Sequence, residues 1–378
     1  MEDFGIYIHI PFCLKKCKYC DFVSFAGCNI AKKEEYVEAV LQEIENCQID
    51  KKVNTIYFGG GTPSILEAKQ IEKILKKLQE KFEILPDAEI TLEANPGTVT
   101  EEKIKSYKEM GINRLSIGLQ STNERLLKLL GRIHTYQEFL QCYEWARNAG
   151  FDNINVDLML ALPTQTLENL LESLELIIQL KPEHISLYSL ILEEGTELEK
   201  MVSRQEIQFP SEDLERAMYW KTKQILEDNG YDHYEISNFA KPGFESKHNL
   251  GCWNQNEYYG FGAASHSYIN KKRISNVSNL EEYIKNIQNK EFLKNRILQE
   301  PEQSFEQEAK EYMMLNLRKI EGVSISKFEQ KFQINPLFYF RFEIEKLTTQ
   351  DLIEVDLDNI KLTNKGLDFA NIVFSEFV

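Results

Sequence analysis

Residues 13–22 read CLKKCKYCDF, which sets Cys13, Cys17 and Cys20 four and three positions apart, just after an apolar run. Thiolates on one short loop can converge on a metal. A structural zinc site takes four closed ligands, and the run supplies three; Asp21 or His9 could complete the set. An iron–sulfur cubane held by three thiolates instead leaves one iron open to an outside ligand.

Other polar groups stand at the ends of apolar runs. After Phe58 comes GGGTPS, where Gly59, Gly60 and Gly61 lack side chains and let backbone approach a small molecule closely. No Gly-Lys-Ser or Gly-Lys-Thr follows, so this is not a P-loop. Glu93 in LEANP, Gln120 in SIGLQS and Asp157 in INVDLMLALP carry acceptors that suit ribose hydroxyls and an ammonium group. Arg132 in LGRIHT offers a fork for a carboxylate.

Positioning these groups requires a scaffold of strands with ends in register. Six β-rich runs fit that role: GIYIHI, NTIYFGG, AEITLEAN, NRLSIGLQS, NINVDLMLALP and EHISLYSLI. Between them, apolar residues recur at three and four over 34–46, 68–82, 105–110, 137–148 and 167–180, which predicts helices. Glycines in KEMGINRL and ARNAGFDN fit helix C-caps directly before the next strand. Alternation of this kind predicts parallel strands joined by crossover helices. Periodicity alone leaves open a doubly wound sheet or an incomplete barrel, and both place sites at the C-terminal strand ends.

Residues 193–300 are less regular and centre on an aromatic-rich stretch, 234–268, with eight aromatics and two His. GFGAASHSY in it is not a dinucleotide fingerprint, because it does not open the helix of a βαβ unit. From 301 onward, helices are expected over 308–319, 325–332 and 337–347, then strands LIEVDLD and NIKLT and a last helix from Leu367. That order predicts a small winged-helix-like α+β unit. Its 9 basic against 14 acidic residues disfavour a DNA-reading role.

The chain has 378 residues, a formal charge of −16 and 42% apolar residues, enough for a large core plus smaller units. The negative charge opposes phosphate backbones, so nucleic acid is not an expected partner. No run approaches the roughly 20 apolar residues of a membrane helix, and no signal segment is evident. A cytoplasmic protein is expected, with peripheral membrane contact left open. Seven cysteines, unevenly spread, fit metal binding in a reducing compartment better than a disulfide scaffold. Cys47 and Cys142 fall in helical patterns and read as buried small hydrophobes.

CLKKCKYC in its strand context resembles the signature of the radical S-adenosylmethionine (SAM) superfamily. The resemblance implies an α/β fold: a partial (β/α)6 barrel, an irregular central segment and the small C-terminal winged-helix-like domain. It implies a [4Fe–4S] cluster on Cys13, Cys17 and Cys20, with SAM chelated at the open iron and split by the reduced cluster to a 5′-deoxyadenosyl radical. An electron donor for the cluster would be a partner. Tyr7, Tyr19, Gly60, Gly61, Thr62, Glu93, Gln120, Arg132 and Asp157 match SAM-contacting positions of the porphyrinogen-related branch.

IYIHIPFC, FGGGTPS, LEANPGT, RLSIGLQS, VDLMLALPTQT and YEISNFA look like that branch, which holds oxygen-independent coproporphyrinogen III dehydrogenases and heme chaperones. The dehydrogenases carry a further cysteine two positions after the last ligand and a longer segment before the first strand. Here Phe22 stands at that position, and four residues precede Gly5. Resemblance therefore favours the chaperone group, which binds heme and passes it to acceptor proteins, with the dehydrogenase as the alternative. HNLGCW, His248 to Trp253, matches that group's proposed heme motif, with Cys252 where tyrosine is usual, so His248 and Cys252 are candidate heme ligands. Nearby Lys241, Lys247, Lys271, Lys272 and Arg273 could meet propionates. The expected division is 1–235 for the barrel with its extension, 236–300 for the aromatic-rich segment and 301–378 for the C-terminal domain.

Overall fold

The computed structural model describes residues 4–298 and 302–378. Six parallel strands form its centre: β1 (Gly5–Ile10), β2 (Val53–Gly60), β3 (Ile84–Ala94), β4 (Arg114–Gln120), β5 (Ile154–Leu160) and β6 (His184–Ser189). They pair in chain order, β1 with β2 through β5 with β6. The fold is thus the α/β partial barrel expected for a radical SAM protein.

Strand β1 illustrates why these runs become strands. Ile6, Ile8 and Ile10 alternate and are fully buried with helix residues Tyr36, Val37 and Val40 in one large core, each contributing about 1.5–3 kcal/mol by leaving water. Tyr7 and His9 take the opposite face, and Tyr7 stacks toward Tyr57 at 6.2 Å across β2. The crossover helices are cut cleanly at their ends. Thr135 and Thr166 each begin a helix with a reciprocal capping box. Gly111 and Gly150 take positive φ just past helix ends, a conformation that most other residues resist.

The aromatic-rich middle does not stand apart as a unit. It supplies β7 (Asp232–Glu235), β8 (Asn238–Ala240), β9 (Tyr258–Phe261), β10 (His266–Ile269), β11 (Lys272–Asn276) and β12 (Arg296–Leu298). These extend the sheet at both edges, giving the order β12-β11-β10-β9-β1-β2-β3-β4-β5-β6-β8-β7. Strand β9 runs parallel to β1, so the parallel array has seven members rather than six. A helix over Glu212–Asp228, not foreseen from the sequence, packs against Leu167–Leu180.

The C-terminal unit has its own core around Phe328, Phe332, Phe340 and Phe377. Its three-stranded sheet joins Val323–Ser324, Asn359–Leu362 and Ile353–Val355. The helix expected over 337–347 is two, Pro336–Tyr339 and Arg341–Thr349, because Phe340 leaves helical geometry at φ −103°, ψ 33° and turns its ring inward. The unit is sewn to the barrel by a bridge between Glu235 and Lys319. Arg318 lies 4.5 Å over the Trp253 ring, and Trp220 Nε1 donates to Asp368 at 2.9 Å. Among the described residues, no helix is long and apolar enough to cross a membrane.

Candidate functional site: the mouth of the barrel

The cysteine loop leaves β1 and is pinned at the C-terminal mouth by backbone bonds. Lys18 N donates to Leu130 O at 2.9 Å, and Leu198 N donates to Lys18 O at 2.8 Å. Cys13, Cys17 and Cys20 are all free and half-buried, and Cys20 lies within electrostatic reach of the other two. Burial pushes the Cys20 thiol up to about 11, so it takes a bound cation to hold it as thiolate near neutrality.

No group of three His, Cys, Asp or Glu among the described residues is gathered tightly enough to grip a single metal ion. Tetrahedral zinc needs sulfurs converged at about 2.3 Å from one point; a cluster that takes one thiolate on each of three irons spreads them. His9 does not complete a zinc site, because Nδ1 shares a hydrogen bond with Tyr7 at 3.0 Å and Nε2 with Val23 O at 3.1 Å. Asp21 is exposed. With His9 engaged elsewhere, the loop offers three thiols, the number that a cluster with one open iron takes.

The glycine run is fixed by contact with this loop. A Cβ on Gly60, at φ +112°, would meet the His9 ring at 2.6 Å. One on Gly61 would meet Phe12 O at 2.8 Å and Cys13 Sγ at 3.1 Å. Thr62 Oγ1 donates toward Cys13 Sγ at 3.6 Å. A side chain on Gly60 or Gly61 would thus displace the first thiol or its support.

Behind the mouth lies a polar interior. Tyr57 OH donates to Glu93 Oε1 at 2.9 Å, and Gly60 N to Glu93 Oε2 at 3.3 Å. Burial, and then the charge of Asp157, push the Glu93 carboxyl up to about 7. Burial also raises Asp157, although Asn155 Nδ2 donates to it at 2.7 Å. Arg132 spans from Cys17 Sγ at 3.6 Å to Gly118 O at 2.6 Å, with Tyr19 against its guanidinium. Its Nε is buried and has no hydrogen-bond partner. Gln120 closes β4 with φ +73°, an uncommon conformation that turns the chain at the rim. A buried acid with a raised pKa and a guanidinium N–H without a partner leave hydrogen-bonding capacity at the mouth that suits a small zwitterion.

Sequence reasoning passed over Arg114, Tyr57 and Glu89. Arg114 is 2% exposed inside the barrel, within electrostatic reach of Glu89, Tyr57 and Asp157. A charged residue opening an otherwise apolar strand was the available signal.

His248 and Cys252 lie elsewhere. They sit on one helix, Lys247–Trp253, which forms despite Gly251 because Ser246 caps it and Glu89 accepts from Lys247 N and His248 N at 3.1 Å each. The His248 ring is 7% exposed, shares a 2.9 Å hydrogen bond with Thr55, and stacks on Tyr57 at 5.1 Å. Thr55 and Gly5 stand at the N-terminal ends of β2 and β1, away from the cysteines. Burial and the nearby Arg114 charge push the imidazole down to about 4, so it is neutral. The hollow that His248 and Cys252 border holds about 10 Å³, room for one water and not a macrocycle. The basic residues proposed for propionates are also engaged: Lys241 with Glu183, Lys271 with Glu308, Lys272 with Glu302 and Arg273 with Glu311, while Lys247 donates to Asp87 O. GFGAASHSY packs behind β1, where a Cβ on Gly262 would meet Tyr36 OH at 2.3 Å.

Comparison with known proteins agrees with this architecture. The profile of the Radical SAM superfamily matches residues 7–177, and that of the HemN C-terminal domain matches 303–369. Heme chaperone HemW of Lactococcus lactis subsp. lactis (strain IL1403) is 40% identical over 98% of this chain and 96% of its own. Heme chaperone HemW of Bacillus subtilis (strain 168) is 38% identical over 98% of each. Among solved structures, coproporphyrinogen III oxidase (HemN) from Escherichia coli, a radical SAM enzyme, superposes with a TM-score of 0.86. It covers 100% of this chain and 90% of the other at 24% identity, a likeness of fold. Since curated relatives match almost end to end at these identities, the chain belongs to the heme chaperone HemW family.

Proposed function

We propose that this protein is a heme chaperone that binds heme and hands it to acceptor proteins, with a [4Fe–4S] cluster on Cys13, Cys17 and Cys20 and SAM beside it. Family membership supports the heme part. The observation that carries the cofactor part is the union of three free thiols with the orphaned Arg132 Nε and the raised Glu93 carboxyl at one mouth.

When bound, such a cluster supplies one electron to a ligand on its open iron. The chain's own residues would do the rest. Cys13, Cys17 and Cys20 would hold the cluster, and Arg132 lies against Cys17. Gly60 and Gly61 admit the amino-acid end of SAM, whose carboxylate suits Arg132 and whose ammonium suits Glu93. Gln120 and Asp157 offer acceptors for ribose. Tyr7, Tyr19 and Thr62 wall the site. Glu93 can hold a proton near neutrality, so the charge it presents to an incoming cation is adjustable.

The test is oxygen-free reconstitution with iron and sulfide, followed by heme titration. Four irons and four sulfides per chain and a heme Soret band shifted on binding are expected. Protein without iron and sulfide would overturn the cofactor assignment, and an unshifted Soret band would overturn the heme assignment.

A further inference from the structure

A groove of about 750 Å³ opens where the C-terminal unit meets the barrel. That volume lies within the roughly 300–1,000 Å³ of small-molecule sites. The turn Asn254–Glu257 after the His248 helix, the β10–β11 hairpin, and helices Phe305–Asn316 and Ile325–Phe332 supply its walls. It is far larger than the hollow beside His248 and Cys252, with which it shares Asn256 and Glu257.

Its charge departs from the rest of the molecule. Lys51, Lys271, Lys327 and Lys331 line it against two carboxylates, Glu257 and Glu308, in a chain of net charge −16. Both carboxylates are neutralised in place: Glu257 pairs with Lys51, and buried Glu308 pairs with Lys271 at 2.8 Å and Lys331 at 3.5 Å. The exposed Lys327 makes no ion pair among the described residues. Two positive charges are therefore left for a ligand.

The floor is aromatic. Phe332 meets Phe305 edge-on at 5.7 Å and Tyr312 at 5.4 Å. The Lys331 ammonium lies 5.3 Å from the Tyr312 ring and 5.5 Å from Phe332. Half-exposed Phe305 also touches Tyr339, beside Phe338, which is 82% exposed. A flat apolar ring can slide along this ledge while its acid groups reach the lysines. The groove lining contains no His, Cys or Met. Its two tyrosines, Tyr268 and Tyr312, are buried, and Tyr268 OH donates to Gln303 at 3.3 Å.

From these observations we infer that the groove binds a planar aromatic ring with two carboxylates, a porphyrin, through its face and its acid groups and without a bond to the metal. The inference rests on the heme-chaperone reading for the identity of the ring. It places first capture of heme at the joint between the two units, away from His248 and Cys252.

Titration of the full chain with zinc protoporphyrin and metal-free protoporphyrin, followed by fluorescence, tests it, with heme titrated in parallel. Both iron-free rings are expected to bind with affinities within about threefold of each other. Lys327→Glu with Gln330→Glu, two exposed positions, is expected to weaken all three ligands by about tenfold or more, as is Phe305→Ser. Lys76→Glu, a reversal on a distant helix, is expected to leave them unchanged. Heme binding that ignores the groove substitutions, or that occurs while neither iron-free ring binds, overturns the groove and spares the heme-chaperone reading. Failure of the unaltered chain to bind any of the three overturns both.

Discussion

The two ends of the barrel are built on opposite principles. At the C-terminal mouth, Arg132 Nε lacks a partner, Gln120 holds an uncommon φ, and Glu93 keeps a carboxyl pushed up to about 7. At the N-terminal end, the His248 helix is capped by Ser246 and Glu89, and its imidazole is bonded to Thr55 and stacked on Tyr57. At the first end a guanidinium N–H and a raised carboxyl face the mouth without full partners; at the second the His248 ring is fully engaged, although Trp253 Nε1 on the same helix has no hydrogen-bond partner. A histidine in a recognisable motif can thus be a keystone of the scaffold, while polar groups at the strand ends carry the unspent hydrogen-bonding capacity.

Substitutions at each end put that contrast to the test. The largest effect is expected from replacing Cys13, Cys17 and Cys20 together by alanine. Iron and sulfide retained after reconstitution should fall to background while the melting temperature of the apoprotein stays close to that of the parent. Retained iron would mean that other groups hold the cluster.

At the N-terminal end, His248→Ala is expected to cost about 3 kcal/mol in urea unfolding, because a packed ring and the Thr55 hydrogen bond go together. Iron and sulfide loading should be unchanged. The reverse result, intact stability with lost loading, would erase the distinction between the ends.

Glu93→Gln probes the strain at the mouth through pH. The folded-state value of about 7 lies above the usual 4.5. The stability that the neutral carboxyl confers is therefore fully present below about pH 4.5 and is lost as pH rises through about 7. Relative to the parent apoprotein, Glu93→Gln should be about 3 kcal/mol more stable near pH 8 and nearly equal near pH 4. A difference independent of pH would refute the raised value. Smallest, Ser246→Ala should cost about 1 kcal/mol through loss of the N-cap, read as a lowered urea midpoint with an unchanged slope.

The central six strands were legible because each is six or more residues long, holds a run of apolar residues and, for the first five, is followed by an amphipathic run. Strands β7–β12 were not. They are three to five residues long, too short for a period-two pattern to stand out, and their pairing depends on partners far along the chain. The helix Glu212–Asp228 hid because its buried residues, Met218, Thr222 and Leu226, lie among many charges. At the site, the cysteine spacing and the glycine run were readable from local sequence. The setting of His248 was not, since Thr55, Tyr57 and Glu89 reach it from other strands. Nor was the groove, whose walls come from five separated stretches.

The pairing of β1 with β9 also bears on how the chain comes off the ribosome. Gly5 through Ile8 lie against Tyr258 through Phe261, so this strand, once made, waits for residues about two hundred and fifty positions later to cover its outer edge. Until then its amide and carbonyl groups on that side stand bare, a template for pairing with another nascent chain. Fragments ending before residue 258 should therefore clump during synthesis even though all six central strands are complete.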